Sequence, residues 1–334
     1  MGVYVIAEAG VNHNGDISIA KKMIDAAKEA GADAVKFQTF KAYECTGTYA
    51  EKAEYQKQND KTKESQLEMV RKLELPFEAF GELKKYCDKV GIDFISTPDG
   101  TESLNCLLDI GVSIVKIGST EVTNHEFLKE IGRTGKNIIL STGMSTLGEV
   151  EKAIEAIYET GNAKITLMHC TTDYPTAVSD VNIRAMKTMA EAFKLPVGYS
   201  DHTLSCEAAV AAVTLGAVVV EKHFTLDRNM KGPDHAASME PEELKAYVKS
   251  IRNTEKLLGD GIKKPTDSEK NIMKQTRRSI LAARDLPKGT VIEKNMLVFK
   301  RPGDGVYPEF ADVFVGRTLK RDVKQDEKIM WRDI

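Results

Sequence analysis

The sequence has no CxxC pair, no GxGxxG turn, no apolar run of membrane-spanning length and no strong net charge, and each absence removes a class of protein. Five cysteines, Cys45, Cys87, Cys106, Cys170 and Cys206, are odd in number and widely spaced. They argue against a disulfide framework or a thiolate zinc site and for reduced, mostly structural thiols. A net charge of -3 and a pI near 6.2 offer little to a polyanion, so nucleic acid is not an expected partner. Met1 to Gly10 runs into a β-type segment with neither a basic stretch nor a cleavage site, so a cytoplasmic protein without a membrane partner is expected. What the chain does have is length: 334 residues of ordinary globular composition suit one large domain and a smaller one.

From residue 3 to about residue 258 short β-branched runs alternate with amphipathic helical stretches, the rhythm of β-α units on a parallel sheet. The strand candidates are Val3–Ala9, Ala34–Phe40, Asp93–Pro98, Ile114–Ser119, Asn137–Met144, Ile165–Cys170, Val197–His202 and Val218–Thr225. Helical patterns fall at Ile17–Ala30, Pro76–Val90, Leu147–Thr160 and Pro241–Leu258. Eight such units predict an α/β fold, a closed (β/α)8 TIM barrel over residues 1–260. An open doubly wound sheet is the alternative, but its first turn more often reads GxGxxG, and here it is Gly10-Val-Asn-His-Asn-Gly15. The long polar insertion Lys41–Glu64 is a candidate lid or subunit contact. A polar, Gly- and Pro-containing linker is expected over 261–276, followed by a small, mostly β domain over 277–334.

In such a barrel the active site forms at the C-terminal ends of the strands. Polar residues close almost every apolar run: Glu8, Lys36, Thr97, Lys116 with Ser119, Ser141, His169, Ser200-Asp-His202 and Glu221-Lys-His223. Lys36 and Lys116 in one cavity would repel unless an anion or carboxylates sat between them, which suggests a phosphate or carboxylate ligand helped by the hydroxyls of Thr97, Ser119, Ser141 and Ser200. A Schiff base on one lysine is a second reading. His202 and His223 end adjacent strands, where two neutral imidazoles can share a divalent metal, or serve as a general base or a satisfied structural group. Glu8 is a candidate general base, and Asp234 an outer partner or hydroxyl acceptor. His13 and His235, in loops, are less constrained, and His125 opens a helix.

The ordered set Ile6-Ala-Glu-Ala-Gly-Val-Asn-His-Asn-Gly15, Val35-Lys-Phe-Gln-Thr39, Ser96-Thr-Pro98, Leu140-Ser-Thr-Gly-Met144, Gly198-Tyr-Ser-Asp-His-Thr203, Glu221-Lys-His-Phe-Thr225 and Gly232-Pro-Asp-His235 resembles the sialic acid synthase family. The C-terminal part, with Lys300-Arg-Pro-Gly-Asp-Gly305, looks like that family's antifreeze-like (SAF) domain. The resemblance implies condensation of phosphoenolpyruvate with the open-chain aldehyde of an N-acetylated mannose-type sugar. It implies that Lys36, Thr97, Lys116, Ser119, Ser141 and Ser200 hold phosphoenolpyruvate. It also implies that His202 and His223 bind a divalent metal, manganese first, with magnesium or cobalt as alternatives. Glu8, Thr172, Tyr174 and Asp234 would meet the sugar, and Arg301 would reach the partner's site in a domain-swapped homodimer. Thr172 and the segment Lys116-Ile-Gly-Ser-Thr-Glu121 depart from familiar family versions, and Gln66–Leu75 and Lys222–Leu226 look closest to the legionaminic branch. Competing expectations are a lysine Schiff-base aldolase that takes pyruvate, and a non-catalytic sugar-binding protein.

Overall fold

A computed structural model describes residues 2–52 and 65–334. It contains two compact units, Met1–Gly259 and Asp260–Ile334. In the first, eight parallel strands are β1 (Tyr4–Gly10), β2 (Ala34–Thr39), β3 (Asp93–Pro98), β4 (Ile114–Ile117), β5 (Asn137–Ser141), β6 (Ile165–His169), β7 (Val197–Asp201) and β8 (Val219–His223). The ladder runs β3-β2-β1-β8-β7-β6-β5-β4, and β3 packs against β4 to bring the two ends together. The barrel expectation therefore holds, with most strands ending one to three residues earlier than the sequence suggests. The excess residues turn into the loops that line the barrel mouth, as where the run through Ser119 ends at Ile117 and Ser119–Glu121 forms a 3-10 turn.

Side-chain alternation sorts each strand into two faces. Outward residues such as Val5, Ala7, Val35, Phe37, Val115, Leu140 and Val220 pack against the surrounding helices in the main core. Inward residues Ile6, Ala34, Ile95, Ile139, Met168 and Val219, with Tyr4 and Ile114 against them, form a separate apolar floor inside the barrel. β7 contributes Gly198 at this level, where a Cβ would collide with the Val219 side chain and backbone. Glycine is what lets Val219 complete the floor.

The helices carry the stop signals their positions need. Ile17–Ala30 is capped by Asp16, which accepts from Ser18 and Ile19, and ends at Gly31 in the left-handed region. Leu147–Tyr158 opens on a capping box between Thr146 and Glu149. Of the expected insertion 41–64, Ala42–Cys45 forms a short helix, while 53–64 lies outside the described residues. No helix among the described residues is long and apolar enough to cross a membrane.

The second unit corrects the linker expectation. Residues Asp267–Thr276 form a helix, because Thr266 and Glu269 make a reciprocal capping box. The Gly303 N–H donates to the Lys274 carbonyl (2.8 Å), so this helix belongs to the second unit. Strands β9 (Ser279–Ala282) and β10 (Leu297–Lys300) pair antiparallel over a core of Ile280, Leu286, Ile292, Phe314, Leu319, Val323 and Ile329.

Candidate active site

Two residues beyond the floor, on the same inward face, every strand changes chemistry. Ile6 is followed by Glu8, Ala34 by Lys36, Ile95 by Thr97, Ile114 by Lys116, Ile139 by Ser141, Met168 by Cys170, Gly198 by Ser200 and Val219 by Glu221. A strand's two-residue period converts this spacing into a continuous polar tier above an apolar plug. The tier lines one cavity of about 980 Å3 that also receives Ser119, Thr172, Tyr174, His202, His223 and Asp234. Twelve of the expected site residues thus meet in one place. Arg301 stands exposed in the second unit, immediately after β10.

The charged residues cluster on one side of the tier, the two carboxylates on the paired strands β1 and β8 and the two lysines on β2 and β4. Lys36 Nζ lies 2.8 Å from Glu8 Oε1 and 3.5 Å from Glu221 Oε1, and donates to Thr97 Oγ1 at 3.2 Å. Lys116 Nζ donates to Ser141 Oγ at 2.6 Å and sits 3.9 Å from Glu221 Oε2. Glu221 therefore reaches both ammonium groups and Glu8 adds a second partner for Lys36, one of the arrangements the sequence left open. Glu221 is the residue that sequence reasoning noted at a strand end but gave no role. Its signal was the same two-residue step that placed Lys36 and Lys116.

Burial works against every charge in this cluster, and neighbours decide the outcome. For Lys36, burial is outweighed by Glu221 and Glu8, which hold its ammonium above the ordinary lysine range. For Lys116, burial prevails and lowers the value, with Lys36 adding to the effect. Burial would raise Glu221, but Lys116 and Lys36 overcome it and keep the carboxylate ionised. Burial pushes Glu8 up despite Lys36, and its Oε2 is buried without a hydrogen-bond partner.

The other side of the cavity is neutral. His202 Nδ1 lies 2.6 Å from the Thr171 carbonyl, which can only accept, so Nδ1 carries the proton and Nε2, 3.2 Å from Ser200 Oγ, presents a lone pair. The His202 and His223 rings are 5.5 Å apart, and His223 Nδ1 is buried without a partner. Burial lowers both histidines, His223 strongly with His202 adding to it, and keeps the rings unprotonated as metal ligation requires. Among the described residues no group of three or more His, Cys, Asp or Glu could hold an ion. The arrangement fits a cation held by two imidazoles with its remaining positions left to water or ligand oxygens.

Behind the rings, Asp201 and Lys222 form a buried pair across β7 and β8 (3.3 Å), and Tyr247 donates to Asp201 at 3.0 Å. That pair ties β7, which His202 directly follows, to β8, which ends in His223. The Tyr174 ring lies 4.2 Å from that of His202, tilted by 33°. Burial pushes the Asp234 carboxyl up to about 6. His13 and His235 overturn the expectation that they are less constrained: both are 1% exposed, because the loops that carry them pack on one another at the barrel mouth.

Fold and site together define a barrel enzyme whose cavity sets a buried lysine–carboxylate cluster beside a pair of neutral imidazoles. The chain belongs to the NeuB family, whose model matches residues 23–263, and its C-terminal part matches the SAF domain over 277–334. It is 49% identical to the N,N'-diacetyllegionaminic acid synthase of Campylobacter jejuni, over 97% of this chain and 98% of that protein. Against the protein of the same name from Legionella pneumophila the identity is 46%, over 100% and 95%. Among solved structures, the N-acetylneuraminic acid synthetase of Leptospira borgpetersenii in complex with citrate superposes with a TM-score of 0.73 at 35% identity, over 82% of this chain and 90% of that one.

Proposed function

We propose that this protein condenses phosphoenolpyruvate with the open-chain form of 2,4-diacetamido-2,4,6-trideoxymannose, giving N,N'-diacetyllegionaminic acid and phosphate. The observation that carries the reading is a buried cluster of two lysines and two carboxylates sharing a cavity with two neutral imidazoles. The diacetamido sugar is favoured over N-acetylmannosamine because identity is higher to the two legionaminic acid synthases than to the neuraminic acid synthetase.

Lys36 and Lys116, with the hydroxyls of Thr97, Ser119, Ser141 and Ser200, bind the phosphate and carboxylate of phosphoenolpyruvate and fix its C3 toward the imidazole side. Thr172, Tyr174 and Asp234 orient the sugar so that its C1 aldehyde meets that carbon. A divalent cation, with manganese first and magnesium or cobalt as alternatives, supplies Lewis acidity toward the aldehyde oxygen when held by His202 and His223. The C2–C3 π pair of phosphoenolpyruvate forms the bond from C3 to C1 of the sugar as the aldehyde π pair moves to its oxygen, which takes up a proton; water adds at the electron-poor C2 and gives up a proton, and phosphate leaves with the electron pair of the C2–O bond. Glu8, held near its neutral form, keeps or moves a proton at its unpartnered Oε2. Arg301 of a second copy closes on the N-acyl end of the sugar in a domain-swapped homodimer.

The lowered Lys116 value favours one rival, a lysine Schiff-base aldolase that takes pyruvate. The deciding experiment follows phosphate release from phosphoenolpyruvate with each sugar, before and after chelation and on return of manganese. Release that prefers the diacetamido sugar, stops with chelator and returns with manganese is expected. Borohydride-trapped pyruvate with chelator-resistant turnover would favour the aldolase instead.

A further inference from the structure

Asn12, His13 and Asn14 sit in the turn after β1, outside the cavity, yet the turn is bonded to both limbs of the loop that carries Asp234. Asn12 Nδ2 donates to the Phe224 carbonyl at 2.9 Å and to Ser238 Oγ at 3.0 Å, and Ser238 Oγ donates to the Asp234 carbonyl at 2.7 Å. Asn14 Nδ2 donates to the Lys231 carbonyl at 2.9 Å. That spends the amide nitrogen on an atom that only accepts, so Asn14 Oδ1 is the acceptor facing His235 Nε2 at 3.2 Å. Nε2 therefore carries the proton, and His235 Nδ1 accepts from Thr225 Oγ1 at 2.7 Å. Gly232 closes over the contact: a Cβ there would lie 2.6 Å from His235 Cδ2 and 3.0 Å from Asn14 Oδ1.

Asn14 thus fixes the loop at Lys231 and again at His235, leaving Gly232, Pro233 and Asp234 between the two holds. Proline has a fixed φ, so little freedom remains to the carboxyl-bearing residue. We infer that Asn14 and His235 are positioning residues that set the Asp234 carboxylate over the cavity, making the β1 and β8 loops one body. The inference rests on the reading that Asp234 meets the sugar. It assigns Asn14 and His235 an effect on sugar binding although neither touches the cavity.

The test uses the full-length protein carrying Asn14→Asp or His235→Phe, each alone and combined with Asp234→Ala, with manganese, phosphoenolpyruvate and the diacetamido sugar. Asn14 has a φ of 52°, which Asp tolerates while losing the donor to Lys231. His235→Phe keeps the ring and removes both hydrogen bonds. Each single variant is expected to raise the sugar KM about tenfold and to leave the phosphoenolpyruvate KM within about twofold. In the Asp234→Ala background the same changes should act by less than about twofold, since residues that work through one another do not add. Single variants with an unchanged sugar KM beside a damaged Asp234→Ala, or effects that persist in full without Asp234, would overturn the latch and leave the sugar assignment standing. If Asp234→Ala itself leaves the sugar KM unchanged, the sugar assignment fails and the latch with it. Should His235→Phe not fold, Asn14→Asp, at a half-buried turn position, carries the test alone.

Discussion

The barrel interior holds two tiers that differ by a single two-residue step along each strand. The floor, Ile6, Ala34, Ile95, Ile139, Met168 and Val219, is a dry plug, and the tier above it, Glu8, Lys36, Thr97, Lys116, Ser141, Ser200 and Glu221, is as buried but polar. Both are filled by the same backbone geometry, so their difference is purely one of side-chain chemistry. The floor earns stability from packing. The upper tier spends some of it on groups that water would hold more cheaply, and such expense marks a site.

The largest effect should come from breaking the upper tier. Lys116→Met, which removes an ammonium bonded to Ser141 and near Glu221, is expected to cut phosphate release by about 10³-fold or more in steady-state assays. The protein should still melt cooperatively, and retention of a tenth of the activity would refute an anion-holding role. The converse change attacks the floor. Ile139→Ala, one residue pair below Ser141, should cost about 2–4 kcal/mol by denaturant titration while the folded fraction keeps its turnover. A variant of unchanged stability but lost activity would erase the distinction between the tiers.

The smallest effect sharpens the comparison through pH. Burial, with Glu121 adding to it, pushes the Asp99 carboxyl at the cavity mouth up to about 7, against an ordinary value of about 4. Between those values the folded protein holds a proton that the unfolded chain has lost, so this group makes stability fall as pH rises through the window. Asp99→Asn should therefore be more stable than the parent at pH 8, and the gap should close toward pH 4. A difference that does not vary with pH would show that the half-buried Asp99 carboxyl is not held above its ordinary value in the folded protein.

Much of this was legible in advance because strands and helices announce themselves by period. The helix Ile17–Ala30 was predicted to the residue, and the strand core of all eight β runs was found. Strand ends were overextended at β4, β5 and β8, where Gly118-Ser119, Thr142-Gly-Met144 and Phe224-Thr225 carry no stop signal although the chain has already turned to line the mouth. The helix Asp267–Thr276 was missed because Gly and Pro just before it dominated the reading, although Thr266 and Glu269 carried its start signal. Glu221 was seen but left without a role, because a carboxylate gains one only when the lysines it serves come from other strands.

The succession of β-α units and the polar residues that close the strands were legible in the sequence alone, since each depends on local period and side-chain type, while the order of strands in the sheet and the apolar floor came with the closed barrel. Which charge faces which was decided only by the tertiary structure. Lys36 meets Glu8 and Glu221, His202 presents its Nε2 lone pair because the Thr171 carbonyl accepts a hydrogen bond from its Nδ1–H, and Asn14 finds His235 from 221 residues away. Such pairings join side chains distant in sequence, and they exist only once the barrel has closed around them.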